Sequence, residues 1–381
     1  MSPTSVFEGA GAIVLGLAVC GAIYASLATW ATGRFLRRAI ATPASLPSIC
    51  VLKPLHGDEP GLYENLASFC TQDYGGPVRI VLGAQDPADP ALGIARQVRR
   101  DHPDRDIVLV SDPTSHGTNR KIGNLINMAA QAHGEVVVIS DSDVRLPRDG
   151  LGAIVAALQA PGVGLVYCLY RGRPSHNLWS RLAAMDVNTR FAPSVVVGQA
   201  LGAHPCLGPT MALRAELLGQ IGDLQHLADF LADDFELGRA VRAAGQKIAC
   251  PPLVIDHVFP DCSGREMLAH DLRWARTIRL VEPLGYMGSA VTHFVPMALI
   301  GAVLTGFAGW SLALLAGLVL LRQAQAVVLS RMMSADRGLL WLVPVRDLLS
   351  FGVFLAAIVG DRVEWRGNRL RVGRDGAIAA T

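Results

Sequence analysis

Two stretches of this chain are too long and too free of charge for an ordinary soluble fold. Gly9 to Gly33 runs for 25 residues without Asp, Glu, Lys or Arg, and Pro283 to Leu321 runs for 39. A hydrocarbon layer of roughly 30 Å is crossed by a helix of about 20 apolar residues. The first stretch therefore reads as one transmembrane anchor. The second is too long for one span and reads as two helices turning near Gly306–Ser311. Composition agrees, with 17% charged and 51% apolar residues in 381, against roughly 25% charged in soluble domains. A disordered or collagen-like chain is excluded.

Orientation follows from basic residues. Arg34, Arg37 and Arg38 come directly after the first stretch, and no Lys or Arg precedes it. The positive-inside rule places residue 34 onward in the cytoplasm. A cleavable signal peptide carries its charge before the apolar run, so an uncleaved anchor is expected. A third apolar segment, Gly338 to Gly360, is interrupted by Pro344, Arg346 and Asp347, and charges within a span are costly. If it is re-entrant or interfacial, the tail with Arg362, Arg366, Arg369, Arg371 and Arg374 stays inside. The expected division is an anchor over 1–33, a cytosolic domain over 34–282, a transmembrane hairpin over 283–330, and a membrane-associated segment with a basic tail over 331–381. Lys plus Arg is 34 against 32 for Asp plus Glu, so no basic excess points to nucleic acid. None of the seven Cys forms a C-x-x-C pair, which indicates neither a zinc knuckle nor a disulfide framework.

Between the membrane parts, short runs rich in Val and Ile recur at Ser48–Leu52, Val78–Leu82, Ile107–Val110, Glu135–Ile139 and Val163–Leu169. Helical patterns at Pro60–Phe69, Pro90–Arg100 and Lys121–His133 separate several of them. Such alternation predicts a parallel sheet covered on both faces. Ligands bind beyond the carboxyl ends of such strands.

The residues at those strand ends carry the chemistry. Asp141-Ser142-Asp143 follows the run Glu135–Ser140. Two carboxylates aimed at one spot suit Mg²⁺ or Mn²⁺ bridging to substrate phosphates, though Asp is also common in plain turns. Asp86 ends another strand. It has the chemistry to accept hydrogen bonds from a nucleotide, and Asp86-Pro87 equally suits a turn. Lys121 opens a helix, where phosphate is attracted or where a Lys is simply solvated. Asp233 and Asp234 begin a helical pattern as dipole-favouring caps or as a source of a general base. His257 suits either a further metal ligand or a hydrogen-bonded loop position. Ser263-Gly264-Arg265-Glu266 is a capping box. The helix it starts places His270, Arg273, Trp274 and Thr277 on one face. Arg273 suits a diphosphate fork and Trp274 a wall for sugar or lipid, while both are also ordinary on an interfacial helix. Leu178, Trp179, Leu182 and Met185 form an amphipathic stripe, either facing a bilayer or serving as core.

Several segments together resemble ceramide glucosyltransferase and its bacterial relatives, the hopanoid biosynthesis-associated glycosyltransferases. They are Val51-Leu52-Lys53-Pro54-Leu55-His56-Gly57, Gln85-Asp86 with Asp89-Pro90, Arg120–Leu125, Asp141-Ser142-Asp143, Asp233-Asp234, Arg273-Trp274 and Glu364-Trp365-Arg366-Gly367. The similarity covers nearly the whole chain. It implies an α/β, glycosyltransferase A-type (Rossmann-like) domain facing the cytosol with flanking transmembrane helices, using nucleotide sugars with inversion. By the same resemblance Pro54 and His56 belong to the substrate site, Asp86 contacts uridine and Lys121 the nucleotide. Asp141 and Asp143 hold the metal diphosphate, with Mg²⁺ or Mn²⁺ as cofactor, and Asp234 is the base. Arg273 and Trp274 end the family's Gln/Arg-x-x-Arg-Trp signature, whose first position is His270 here.

The second acid of the D-x-D and the opening Lys-Pro-Leu-His-Gly resemble the bacterial branch. That branch is associated with transfer of N-acetylglucosamine from its UDP sugar to bacteriohopanetetrol. The implied partners are a UDP-sugar, a membrane lipid acceptor and the bilayer of a bacterial plasma membrane. The alternatives are a ceramide glucosyltransferase using UDP-glucose, a processive polysaccharide synthase, for which three or four spans are few, and a non-catalytic nucleotide-sugar sensor.

Overall fold

The structure is a computed structural model that describes residues 3–360, 362–365, 368–373 and 378–380. The chain forms two units. An α/β unit comprises Arg38–Arg171, Gly202–Pro260 and the end of the chain from Leu370. A helical unit comprises the residues up to Arg37, Gly172–Leu201 and Asp261–Arg369.

Ten strands precede the tail: β1 (Ile49–Pro54), β2 (Val78–Ala84), β3 (Asp106–Ser111), β4 (Val136–Ser140), β5 (Val144–Arg145), β6 (Val163–Tyr167), β7 (Leu169–Pro174), β8 (Thr210–Arg214), β9 (Lys247–Ala249) and β10 (Val254–Phe259). The main sheet has the order β3-β2-β1-β4-β8-β6-β9. Every residue of β1, β4 and β6 is buried. That explains their continuous apolar runs, since strands covered on both faces have no polar side. Helices Leu62–Cys70, Ala91–Asp101 and Arg120–Ala129 return the chain between parallel strands. In register, Ile49 of β1 pairs with Val78 of β2 and Val136 of β4.

The sheet is mixed where sequence alternation predicts parallel strands throughout. β8 runs antiparallel to both β4 and β6, with Ser140 opposite Thr210 and Tyr167 opposite Met211. The chain leaves the α/β unit after Arg171 and returns at Gly202, so no crossover helix dictates the direction of β8. Its five residues, Thr-Met-Ala-Leu-Arg, give no period by which to find it.

Among the described residues three helices of the helical unit are long and apolar enough to cross a membrane: Phe7–Leu36, Gly309–Met332 and Leu340–Ile358. A fourth span is possible by length if the pair Pro283–Thr292 and Phe294–Leu304, bent by 65°, counts as one. The chain turns between Leu304 and Gly309. Leu15, Ala18 and Ala22 of the first helix pack with Phe294, Ala298 and Leu318. Small residues permit the contact. A Cβ at Gly21 would lie 2.5 Å from the Val291 carbonyl oxygen.

The charges that interrupt the last apolar segment find partners within the unit. Arg322 forms a bidentate pair with Asp347 at 2.8 and 2.9 Å. Arg346 reaches Asp271 at 2.6 Å and Asp186 at 3.7 Å. At the carboxyl end Leu370–Val372 pair antiparallel with Ile378–Ala380. Arg366, Gly367 and Arg374 of the sequence segments noted above lie outside the described residues.

Candidate active site

The α/β unit gathers its acids at the carboxyl end of β4. Asp141 directly follows that strand, and its N–H donates to the Pro209 carbonyl at 3.0 Å. Asp143 precedes β5, and its own carbonyl accepts from Val258 N–H at 2.9 Å. That bond ties the D-x-D turn to β10. His257 of β10 then brings Nε2 to 3.0 Å from Asp143 Oδ2. The Asp143 charge raises the His257 pKa against the effect of burial, and the imidazole holds Asp143 below the usual carboxylate range.

Lys121 is not a solvated helix start. Its ammonium lies 2.8 Å from Asp141 Oδ1 and 3.4 Å from Asp233 Oδ2. These carboxylates hold its pKa well above the ordinary value although burial opposes them. Asn119 sets the position. Its side-chain oxygen accepts from the N–H groups of Lys121 and Ile122 at 3.0 and 3.2 Å, capping helix Arg120–Ala129. Its amide nitrogen donates to the Phe230 carbonyl at 2.7 Å. Thr118 N–H donates to Asp229 Oδ1 at 2.9 Å. The loop before Lys121 is thus tied to the loop before Asp233.

Asp234 lies in the first turn of helix Asp233–Ala243 but is more than a cap. Its Oδ2 accepts from Gly208 N–H and its Oδ1 from Phe235 N–H, both at 2.8 Å. Burial, then the Asp233 charge, push its carboxyl up to about 6, with Lys121 and the two N–H donors opposing. A carboxylate whose pKa approaches neutrality is suited to accept a proton at physiological pH.

Lys53 stood in the sequence only as part of the Val51–Gly57 segment, with no role of its own. It lies within the fully buried β1, and its ammonium donates to the Asp141 carbonyl at 2.7 Å and the Val144 carbonyl at 3.3 Å. It also sits 4.1 Å from the Phe69 ring centre. Burial brings its pKa down to about 7, with Asp143 and Asp141 opposing. A Lys followed by Pro inside an apolar strand was the available signal. Gly208 was the other omission, and Asp233, named in the sequence only with Asp234 as a cap or a source of the base, is found beside Lys121. Only the fold brings Gly208 to Asp234, 26 positions away.

The other sequence candidates are placed as follows. Pro54 ends β1 and is buried, and the exposed His56 has Nδ1 3.5 Å from Asp89 Oδ2. Asp89 itself is buried and accepts from Gly57 N–H at 2.9 Å. Asp86 is exposed beyond β2, and its Oδ1 accepts from Ala88 N–H at 2.8 Å, the geometry of an Asx turn. Arg273 and Trp274 belong to the helical unit, on helix Gly264–Val281, which begins with the expected capping box. There Trp274 packs 4.7 Å from the His270 ring and 6.1 Å from Phe191. In the amphipathic stripe Leu182 and Met185 are buried, and Leu178 is exposed.

The D-x-D suits a divalent cation. Asp143 Oδ1 is buried and accepts no hydrogen bond. Among the described residues no group of three or more His, Cys, Asp or Glu forms a protein cage. One or two carboxylates that leave the remaining positions to water and substrate phosphate are the usual arrangement for Mg²⁺.

The family model for "Glycosyl transferase family 21" matches residues 13–378. The chain belongs to this family. Its activity is accordingly that of a glycosyltransferase. Ceramide glucosyltransferase 1 of Caenorhabditis elegans is 23% identical over 369 residues, covering 90% of this chain and 75% of that one. Ceramide glucosyltransferase of Gibberella zeae is 32% identical over 155 residues, covering 38% and 29%. Among solved structures, the mannosyltransferase PcManGT of Pyrobaculum calidifontis, in complex with GDP-Man and Mn²⁺, superposes with a TM-score of 0.53 at 22% identity, covering 91% of this chain and 98% of that one. The family 21 chain thus shares the glycosyltransferase A-type fold.

Proposed function

We propose that this family 21 protein transfers a sugar from a UDP donor to the hydroxyl of a membrane lipid, with inversion and with a divalent cation. The observation that carries the reading is Asp234, a partly buried carboxyl raised to about 6 and fixed by two backbone N–H groups. It shares a site with the Asp141–Lys121–Asp233 chain of charges.

In this mechanism Asp234 takes the proton from the acceptor hydroxyl. The hydroxyl oxygen bonds to the anomeric carbon as the bond from that carbon to the diphosphate breaks, and UDP leaves. Asp141 and Asp143 hold the cation, which when bound offsets charge on the diphosphate. Lys121 contributes a fixed positive charge beside them. Lys53 holds the backbone of the D-x-D turn. Asp86 contacts the uridine, and Pro54 and His56 border the donor. Arg273 supplies a fork to diphosphate, and Trp274 a wall to sugar or lipid.

For the substrates we propose N-acetylglucosamine and a hopanoid polyol such as bacteriohopanetetrol, from the resemblance of the Lys53–Gly57 segment and the full D-x-D. The second reading is transfer of glucose to ceramide, favoured by the 90% coverage shared with the nematode enzyme. Arg34, Arg37 and Arg38 after the first span support a catalytic unit on the cytoplasmic face of a bacterial plasma membrane. The same rule supports the proposed division into anchor 1–33, cytosolic 34–282, hairpin 283–330 and membrane-associated 331–381.

The test is UDP release by the purified full-length protein with Mg²⁺ or Mn²⁺. UDP-N-acetylglucosamine and UDP-glucose are each paired with bacteriohopanetetrol and ceramide, and products are identified by mass. One productive pair names both substrates. Asp234→Asn abolishes turnover and spares UDP binding. Normal turnover in that variant defeats the base assignment.

A further inference from the structure

One face of the first membrane helix is apolar along its length and basic at its end. Ile23, Leu27 and Trp30 are exposed by 56, 58 and 58%. Arg34 and Arg37 are exposed too and continue the same stripe, because spacings of four and three residues keep one helix face. The Arg34 guanidinium carbon lies 5.6 Å from the centre of the Trp30 ring. That cation–π contact holds the charge along the helix, beside an aromatic residue of the kind that marks the level of lipid headgroups.

Helix Gly309–Met332 ends at the same level and adds a third charge. The Gln325 amide nitrogen donates to Ser26 Oγ at 3.0 Å. Two turns further on, Gly33 faces Met332. A Cβ at residue 33 would lie 2.9 Å from Met332 Cε and 3.5 Å from Arg37 Nη1, so the thioether and the Arg37 guanidinium share the space that glycine leaves. Arg331 is exposed in that last turn. The acids of the unit are elsewhere. The first helix has only Glu8, at its opposite end, and helix Gly309–Met332 has none. Asp336 lies 3.9 Å from Arg181, and Asp186, Asp271 and Asp347 pair with Arg190, Arg346 and Arg322. An excess of positive charge therefore remains where the two helices end.

We infer that this end of the helix pair binds an anionic phospholipid, with its phosphate on Arg34 and Arg37 and an acyl chain along Trp30, Leu27 and Ile23. Guanidinium forks match phosphate oxygens in pairs, and they give up their water more readily than an ammonium does. Arg331 adds to the field. A soluble phosphate would meet the same charges but leave the apolar stripe uncovered. A zwitterionic headgroup would bring its own cation among three arginines. The inference concerns neither the donor nor the acceptor of the proposed reaction and stands whether or not that reading holds.

The experiment titrates the full-length protein in detergent with phosphatidylglycerol, phosphatidic acid and phosphatidylcholine of equal chain length, and with soluble glycerol phosphate. Binding is read by native mass spectrometry. The two anionic lipids are expected to bind at least about tenfold more tightly than phosphatidylcholine, and glycerol phosphate not to bind. Arg34→Gln and Arg37→Gln should each weaken the anionic lipids about fivefold, the worth of one basic residue at an anionic surface, and Trp30→Leu about threefold. Arg99→Gln, the same loss of charge on the exposed face of helix Ala91–Asp101, should change nothing. The thermal midpoint shows whether each variant is folded, and Arg331→Gln serves where Arg34→Gln or Arg37→Gln lowers it. Phosphatidylcholine binding equal to that of the anionic lipids, an equal effect of Arg99→Gln, anionic-lipid binding untouched by the folded variants, or glycerol phosphate bound as tightly as the lipids overturns the inference.

Discussion

The N–H of Gly208 donates to Asp234 Oδ2 at 2.8 Å, and a Cβ added at residue 208 would lie 3.1 Å from that same oxygen. The proposed base is thus positioned by a residue whose side chain could be enlarged only by pushing on that base. Gly208→Ala is expected to displace the carboxylate by a few tenths of an ångström and to lower kcat by about tenfold, since small misplacements of a reacting group are costly. The KM for the nucleotide sugar should stay near its parent value. Steady-state kinetics read both, and a larger change in KM than in kcat contradicts the positioning role.

The pH profile follows from the same carboxyl. Burial and Asp233 push it up to about 6. A base acts when ionised, so kcat/KM should fall tenfold per pH unit below about pH 6 and be level above it. Initial rates from about pH 5 to 8 measure this. A profile that is flat through pH 6 assigns the proton transfer elsewhere.

Lys53 supports the D-x-D turn from beneath. Lys53→Met removes the ammonium that donates to the carbonyls of Asp141 and Val144. Buried carbonyls left without donors should cost about 1–3 kcal/mol of stability. The turn should also loosen its hold on Mn²⁺. A denaturation midpoint lowered together with metal affinity is the expected pair of results, and unchanged metal affinity in a folded variant would leave Lys53 a purely structural residue.

Arg322 and Asp347 form a charge pair that is almost wholly enclosed, each side chain 5% exposed. Arg322→Met or Asp347→Leu alone should destabilise the protein by about 3–5 kcal/mol, because an uncompensated buried charge remains. The double variant should recover much of that loss. Thermal denaturation in detergent gives the three values, and simple additivity would show that the pair is not coupled.

Much of this protein was legible in its sequence because the governing rules are local. An uncharged run such as Gly9–Gly33 has one physical use in a chain of this composition. The continuous apolar runs of β1 and β4 mark strands buried on both faces. Asp141 and Asp143 directly follow such a strand, so their place at its carboxyl end needed only the alternation of elements. The capping box at Ser263–Glu266 lies within four residues.

What sequence left open were the choices made by residues far apart in the chain. Lys121 reads equally well as a solvated helix start, and the fold sets it between Asp141 and Asp233. Asp234 reads locally as a cap or a base, with only the resemblance favouring the base, and the fold brings Gly208 to it across 26 positions. His257 reads as a loop histidine until β10 pairs with β5 and brings it to Asp143. Arg346 and Asp347 read as interruptions of an apolar segment until Asp271 and Arg322 pair with them. Sequence alone determined where apolar surface and charge occur, because hydrophobic burial and backbone propensity act over one turn or one strand. Tertiary structure alone decided which charges meet, because the energy of an ion pair or a buried hydrogen bond depends on a separation of a few ångströms that no local rule specifies.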